Sequence, residues 1–395
     1  MKSLIVGASK DIAYGSSLLK KYKIQSLAID GNPQAEGFQF ADKYSVVDIS
    51  DEEKCINFAK DNDASFILPV PIGRYITTWG AINDSLGLKG ISKEMGEKCT
   101  DKWLFHIELA KNSLRNAQAF LLTKGMDSLS REELNYPMIL KPRFGSGSRG
   151  VKELMSFEEY QAEITLIDFE KEDYILESAV PGTEFGVDGI VLDGKCKVVL
   201  LREKINTPPP SRQAIGYYTG FDQDKFSNLE ERVEKRVKSV VKTLGLNNCL
   251  FHVDVMVNDE DTFIIELSPR PSGHNLHNNF TIKATNYDML NEYIKYQTNQ
   301  SYSLDIPAKK NIAILYFDFE NVEFLGVPQA QEVLAIEGVL EYTGTIAVGQ
   351  TRGKISQGSD VIEDGFVIIQ GQTREAINQV FEQIKNMFKI KKVQK

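Results

Sequence analysis

Cysteine is scarce in this chain of 395 residues. There are four, Cys55, Cys99, Cys196 and Cys249, and none forms a C-x-x-C pair. That spacing speaks against a zinc ribbon or a disulfide framework and fits reduced thiols. Histidine is equally rare, at four. His274 and His277 stand three apart without the Glu-x-x-His pattern of a helical metal site, so substrate contact or loop hydrogen bonding is the expectation for them. An excess of basic residues is missing as well: 46 Lys and Arg against 55 Asp and Glu leave a net charge of −9. This argues against a nucleic-acid scaffold, which needs positive surface to neutralise phosphates, but not against a small anion held by local lysines and arginines. Long apolar runs are absent too. Nothing approaches the roughly 18 residues of a membrane span, and the apolar part of the opening MKSLIVGASK is too short for a signal peptide. A cytoplasmic protein with neither nucleic-acid nor membrane partners is expected.

What is present is an ordinary globular composition, 42% hydrophobic and 26% charged, in a chain too long for one core. Strands at Ser3–Gly7, Ser26–Asp30 and Tyr44–Asp48 alternate with helices through Leu18–Lys21 and Ile56–Lys60 before the apolar run Ser65–Val70. Alternation of this kind predicts a parallel sheet. Asp30 ends a strand as a ribose-binding acid would, but Gly7-Ala8-Ser9 lacks the G-x-G-x-x-G that holds a dinucleotide pyrophosphate. From Asn311 the pattern restarts as a small α+β lobe, with strands at Ile312–Phe319 and Phe366–Ile369 and a helix capped by Thr373. Lys389-Ile390-Lys391-Lys392 reads as a solvated tail.

The middle of the chain carries the unusual pieces. Asp101-Lys102 opens a helix, and Ser130 with Glu133 forms a capping box for another. A strand at Pro137–Leu140 runs into Lys141-Pro142-Arg143-Phe144 and then Gly145-Ser146-Gly147-Ser148-Arg149-Gly150. The loop matches G-x-G-x-x-G by letter, yet Val151–Met155 after it is a strand, and a helix begins only at the Ser156/Glu159 capping box. Strand, lysine, glycine-serine loop and strand make a flap whose backbone N–H groups can fold over phosphates, or a merely mobile hairpin. Strands follow at Tyr174–Ser178, Glu184–Val191 and Val198–Glu203. The second places Glu184, Gly186 and Asp188 on one face. The prolines of Asn206–Gln213 (NTPPPSRQ) forbid sheet pairing and make a loop, either a cover for a site or a linker.

The stretch Asp254–Gly273, DVMVNDEDTFIIELSPRPSG, folds by periodicity into a hairpin of His252–Val257 and Phe263–Ser268. A five-residue loop places Asp254 opposite Glu266 and Met256 opposite Ile264, with Asp254, Glu266 and Ser268 on one face. Carboxylates facing each other at Cβ spacings of about 4.5–5.5 Å repel in a plain sheet. A divalent cation, magnesium or manganese by its hard oxygen ligands, turns that liability into a site. The alternative is a solvent-facing acidic hairpin. Arg270, two residues beyond Ser268, adds a fork suited to phosphate or an acyl oxyanion.

Taken in order, Asp101-Lys102, YPMILKPRFGSGSRGV, ILESAVPGTEFGVDGIV and HVDVMV…FIIELSPRPSGH resemble the ATP-grasp superfamily. Within it, the chain looks most like the stand-alone ligases related to L-amino-acid ligases and to carbamoyl-phosphate synthetase modules. The resemblance implies an α/β and α+β protein of three parts. A Rossmann-like pre-grasp domain spans 1–98. An ATP-grasp domain spans 99–304, with a flexible phosphate-loop subdomain near 110–180, and a small C-terminal α+β lobe spans 305–395. It also implies that Lys102 and Lys141 contact ATP phosphates beneath the loop containing Gly145, Ser146, Gly147, Ser148 and Gly150. Glu177, with the backbone of Ser178 and Ala179, would hold adenine, and Glu184 the ribose. Asp254, Glu266 and Ser268 would hold magnesium or manganese, and Arg270 with Lys141 would act in catalysis. Substrate contacts would come from Arg212, Ser272, Gly273 and His274. Two positions depart from the pattern: Asp254 stands where Glu is usual, and Ser268 where Asn is common.

The implied reaction is ADP-forming joining of a carboxylate and an amine through an acyl-phosphate, on an amino acid or small peptide. Partners are then the small-molecule acid and amine, with a homodimer as one admissible assembly. Two other readings stay open. One is a bicarbonate- or formate-activating enzyme of the purine-pathway type, which shares the SPRPSGH segment. The other is an ATP-binding regulatory protein without turnover.

Overall fold

A computed structural model describes the chain apart from residues 116, 127, 128, 146, 148, 209–211, 222–227, 357, 394 and 395, and the side chain of 359. Ser146 and Ser148 of the glycine loop, and Pro209, Pro210 and Ser211 of the proline-rich loop, therefore lie outside the described residues.

Strands β1 (Lys2–Val6), β2 (Gln25–Asp30), β3 (Lys43–Val46) and β4 (Phe66–Ile67) form a parallel sheet in the order β3-β2-β1-β4. Leu4, Ile5, Val6, Leu27, Ala28 and Ile29 are all buried, as two-sided coverage of a parallel sheet requires. Strands β5 (Ala119–Leu122), β6 (Met138–Pro142), β7 (Lys152–Leu154) and β8 (Tyr174–Ser178) form an antiparallel sheet in the order β5-β8-β6-β7. It has its own small core, with Met138, Leu140, Leu154, Tyr160 and Leu176 buried together. The Ser130/Glu133 capping box is present but caps only one 3-10 turn, Arg131–Glu133, because the chain extends again at Leu134 toward β6. The Ser156 cap does open a helix, Phe157–Ile164.

The remaining strands are β9 (Thr183–Leu192), β10 (Lys195–Asn206), β11 (Ala214–Tyr218), β12 (Cys249–Val257), β13 (Thr262–Ser268), β14 (Ile312–Tyr316), β15 (Val322–Gly326), β16 (Val339–Gly344), β17 (Thr351–Arg352), β18 (Gly365–Gln370) and β19 (Lys389–Lys392). Eight of them build one sheet in the order β13-β12-β9-β10-β11-β14-β18-β16. Three strands beyond residue 311 thus extend the sheet that begins at β9. The lysine-rich end is not a free tail. It is β19, paired with β15, whose backbone hydrogen bonds need no apolar pattern when every side chain faces solvent.

The long sheet has unlike faces. Phe185, Val187, Val253, Val255 and Leu267 are buried with Val233, Val237, Val240 and Val241 of the helix Leu229–Thr243, whose apolar stripe recurs at three- and four-residue spacing. The opposite face carries charge, and the site is built there.

Candidate active site

The floor of the site is a register row. Glu266 pairs with Asp254, Asp254 with Gly186 and Gly186 with Arg202, across β13, β12, β9 and β10. The neighbouring row sets Ser268 beside His252 and His252 beside Asp188. Asp254 does face Glu266, but beyond them Val255 pairs with Ile264 and Met256 with Phe263. The expected pairing of Met256 with Ile264 is therefore absent. The turn is one residue shorter than expected, and a bulge at Ile265 takes up the slip.

Three acids on this floor, Asp254, Glu184 and Asp188, sit beside cations. Asp254 lies 3.4 Å from His252 Nε2 and 3.8 Å from Lys204 Nζ. Burial would raise its carboxyl, but Lys204 and then His252 outweigh it and hold the group well below the usual carboxylate range. Glu184 accepts from Lys204 Nζ at 2.5 Å and from Asn206 Nδ2 at 2.7 Å. Deeper in the sheet, Arg202 donates to both oxygens of Asp188, at 2.6 and 3.2 Å, and Thr281 Oγ1 donates to Asp188 at 2.8 Å.

The roof comes from β6 and β8. Ile139 pairs with Glu177, so Lys141, two residues on, shares a face with that carboxylate. Lys141 Nζ donates to Glu177 at 2.6 Å, and Arg115 Nη2 donates to its other oxygen at 2.5 Å. Against burial, Lys141 and then Arg115 keep Glu177 below its ordinary value. Arg115 also reaches the Ile265 carbonyl at 3.4 Å and lies over the Phe263 ring, 4.8 Å from its centroid. Both oxygens of Glu177 are thus engaged. The Ser178 and Ala179 amides are engaged too, donating to Gln118 and Pro137 carbonyls at 2.9 Å each. In this stretch of backbone, expected to hold adenine, sheet and loop pairing thus uses both amides.

Lys102 follows Asp101, the N-cap of the helix Lys102–Lys111, and donates to the Gly145 carbonyl at 2.8 Å. Burial lowers the pKa of its ammonium, opposed by Glu266. Arg143, at the stem of the glycine loop, clamps Asp101 (2.6 Å) and Asp173 (3.0 Å). Gly150 closes the described part of the loop at φ +72, where an added Cβ would come 2.9 Å from Pro142.

A cleft runs between roof, floor and the N-terminal domain. Lys102, Lys141 and Gly145 line one side, Glu266, Ser268 and Arg270 another. Ile72, Gly73 and Arg74, just past β4, close the third. Arg270 Nη1 donates to the Pro271 carbonyl at 2.9 Å. Its buried Nε has no partner among the described residues. Gly273 packs toward Pro71, and His274 is exposed at φ +58, its carbonyl held by Tyr316 Oη at 2.6 Å. Two expected substrate residues are placed elsewhere. Ser272 is wholly buried, and Arg212 is paired with Glu153 on β7 at 2.5 Å rather than lining the cleft. Arg115, Arg202, Lys204 and His252 are drawn into the site although none was singled out as a site residue; only His252, at the head of HVDVMV, lies within a quoted motif.

The donor set fits a magnesium or manganese ion. Asp254 and Glu266 present facing hard-oxygen ligands, with the Ser268 hydroxyl on the same face. Among the described residues no group of three or more Asp, Glu, His or Cys side chains is gathered to hold a metal. Further ligands would come from phosphate oxygens and water. No helix among the described residues is long and apolar enough to cross a membrane.

Comparison with known proteins accords with this geometry. Residues 134–278 match the model of the ATP-grasp domain. D-alanine--D-alanine ligase A of Bacillus cereus is 25% identical over 246 residues, 58% of this chain and 78% of that protein. The crystal structure of an L-amino acid ligase from Bacillus licheniformis superposes with a TM-score of 0.77 at 13% identity, covering 100% of this chain and 99% of that one. Phosphoribosylglycinamide synthetase from Anaerococcus prevotii gives a TM-score of 0.76 at 20% identity, with the same coverages, 100% and 99%. Residues 134–278 thus carry an ATP-grasp domain, the whole chain shares the fold of these structures, and its relatives are ATP-dependent ligases that form C–N bonds.

Proposed function

We propose that the protein is an ADP-forming carboxylate–amine ligase acting on an amino acid or small peptide. The observation that carries this reading is the opposition of Glu266 and Asp254 to Lys102, Lys141 and Arg270 around one cleft. A carboxylate and a triphosphate repel each other, and a site that brings them together must neutralise both. Lys102 and Lys141 would bind phosphate oxygens, and Arg270 the acyl oxyanion. A magnesium or manganese ion held by Asp254 and Glu266 would neutralise β- and γ-phosphate oxygens. The acid's oxygen attacks the γ-phosphorus, the bond to ADP breaks, and an acyl-phosphate forms. The amine nitrogen then attacks the acyl carbon, phosphate leaves, and the nitrogen loses a proton. The loop from Gly145 to Gly150 would exclude water, which otherwise hydrolyses the intermediate. Val180 follows the two engaged amides and is the nearer candidate for a backbone contact to adenine, while Lys204 joins Glu184 at the ribose and phosphate end.

The amino-acid reading draws support from the D-alanine--D-alanine ligase and L-amino acid ligase likenesses. The segment from Ser268 to His274 favours a second reading, activation of bicarbonate or formate for a nucleotide-like acceptor. ADP and phosphate release from ATP and magnesium, measured with amino acids singly and in pairs and then with bicarbonate or formate, separates the two. Release with an amino-acid pair, and a product of the summed mass less water, supports the first. Release only with bicarbonate or formate overturns it. ATP binding without release in any mixture favours a protein that binds nucleotide for regulation.

A further inference from the structure

Asp188 and Arg202 are both fully excluded from solvent, at 0% side-chain exposure, in the centre of the long sheet. Desolvating two charges costs several kcal/mol per ion, and apolar residues of similar size often serve stability as well or better. Stability alone therefore gives little reason for the pair. Its geometry gives another. Arg202 Nη2 lies 3.3 Å from His252 Nδ1, and Asp188 Oδ1 lies 3.4 Å from the same nitrogen. On the far side of the ring, Nε2 lies 3.4 Å from Asp254 Oδ1. A guanidinium only donates, so the ring offers Arg202 its Nδ1 lone pair and carries its hydrogen on Nε2. A doubly protonated ring, donating to Asp188, carries one there as well. In both states the hydrogen on Nε2 lies on the ring's Asp254 side, 3.4 Å from nitrogen to Oδ1.

The backbone leaves room for this arrangement. Gly186 sits between Asp254 and Arg202 in the register row, and a Cβ there would come 3.2 Å from Arg202 Nε. The guanidinium lies across bare main chain. Lys204 approaches the other oxygen of Asp254, Oδ2, at 3.8 Å. The carboxylate is thereby held from two sides, one oxygen toward His252 and the other toward Lys204.

We propose that Asp188, Arg202 and His252 form a buried positioning network that fixes the Asp254 carboxylate for metal binding. The inference rests on the reading of Asp254 as a metal ligand. Partners that orient a ligating group typically change metal affinity about 10- to 100-fold when removed. The test is Mn2+ titration of the full-length protein with ATP, followed by the electron paramagnetic resonance signal of free Mn2+. Binding of a fluorescent ATP analogue without metal serves as a second readout. His252→Leu is expected to weaken Mn2+ binding by about 10- to 100-fold while metal-free nucleotide binding persists. His252→Gln, whose amide nitrogen falls near the position of Nε2, is expected to restore most of it. Asp254→Asn is expected to weaken Mn2+ binding at least as much as His252→Leu. Should His252→Leu fail to fold, Thr281→Val removes only the hydroxyl that donates to Asp188, and a several-fold loss is expected. Weakening by Asp254→Asn with unchanged Mn2+ affinity in His252→Leu or Thr281→Val overturns the positioning role. Unchanged affinity in Asp254→Asn overturns the metal reading itself and the inference with it.

Discussion

Asp254 and Glu266 face each other across β12 and β13 because Ile265 is bulged out of the ladder. Side chains in a strand alternate, so a one-residue slip moves a residue to the other face. Without the bulge, Glu266 would turn toward the helix Leu229–Thr243 and away from the cleft. The bulge therefore keeps the two acids directly opposite each other while Ser268 stays on their face.

Removing one acid should remove turnover rather than fold. Glu266 is half-buried and has no hydrogen bond among the described residues that its loss would break. For Glu266→Ala we expect ADP release to fall by about 10²–10³-fold or more, the scale of losing a preorganised charge at the transferring phosphoryl group. Melting temperature should change little. Normal turnover with normal magnesium dependence would reject the metal assignment.

Glu177 should behave in the opposite way. It neutralises two cations, Lys141 and Arg115, with side-chain exposures of 8% and 2%. Glu177→Leu would leave both without their counter-ion, and breaking a buried pair from one side costs about 3–5 kcal/mol. Urea unfolding should show a loss of that order. A loss under about 1 kcal/mol, the scale of an exposed pair, would mean the triad is open to water.

Stability should fall in mild acid. His106 and His277 are buried, and burial pushes each ring down to about 4. Unfolded histidine takes up a proton near 6.5, so between about 6.5 and 4 the unfolded chain binds more protons than the folded one. Stability from these groups is whole above that window and declines as pH falls through it, by on the order of 3 kcal/mol per ring at the bottom. Unfolding midpoints at pH 7 and pH 5 check this, and replacing His106 and His277 by glutamine should flatten the difference.

The glycine loop offers a milder perturbation. Gly150→Ala places a Cβ against Pro142 at a positive φ, which L-residues resist. Apparent ATP affinity should weaken several-fold, and the ratio of ADP released to product formed should rise as water gains access. An unchanged ratio would show that the loop does not shield the intermediate.

Much of the floor was legible because strand alternation projects directly onto faces. Asp188 and Glu184 fall on one side of β9, Asp254 and Glu266 on one side of their hairpin, and each of these placements needs only local sequence. The facing of Asp254 and Glu266 was anticipated, but through a pairing of Met256 with Ile264 that the bulge replaces. The cations were harder. Arg115 meets Glu177 across 62 residues, Lys204 meets Glu184 across 20 and Arg202 meets Asp188 across 14. A single arginine in a strand or loop has no period, and its partner is fixed only when sheets assemble. For the same reason the pairing of Glu177 with Lys141 and Arg115 was not foreseen. Its neighbours in sequence mark a strand, whereas its two cations come from a different strand and a distant loop.

Arg115 joins the two sheets at the back of the cleft, with Glu177 on one and the Ile265 carbonyl on the other. A plate pinned along one edge can only rotate, and its free rim travels farthest. Gly145, where the glycine loop begins, lines the same cleft as Arg115 and is held there by Lys102. Any rotation about Arg115 would strain the Lys102 bond to the Gly145 carbonyl before it strained the Glu177 contacts, so that bond is the latch of the cleft.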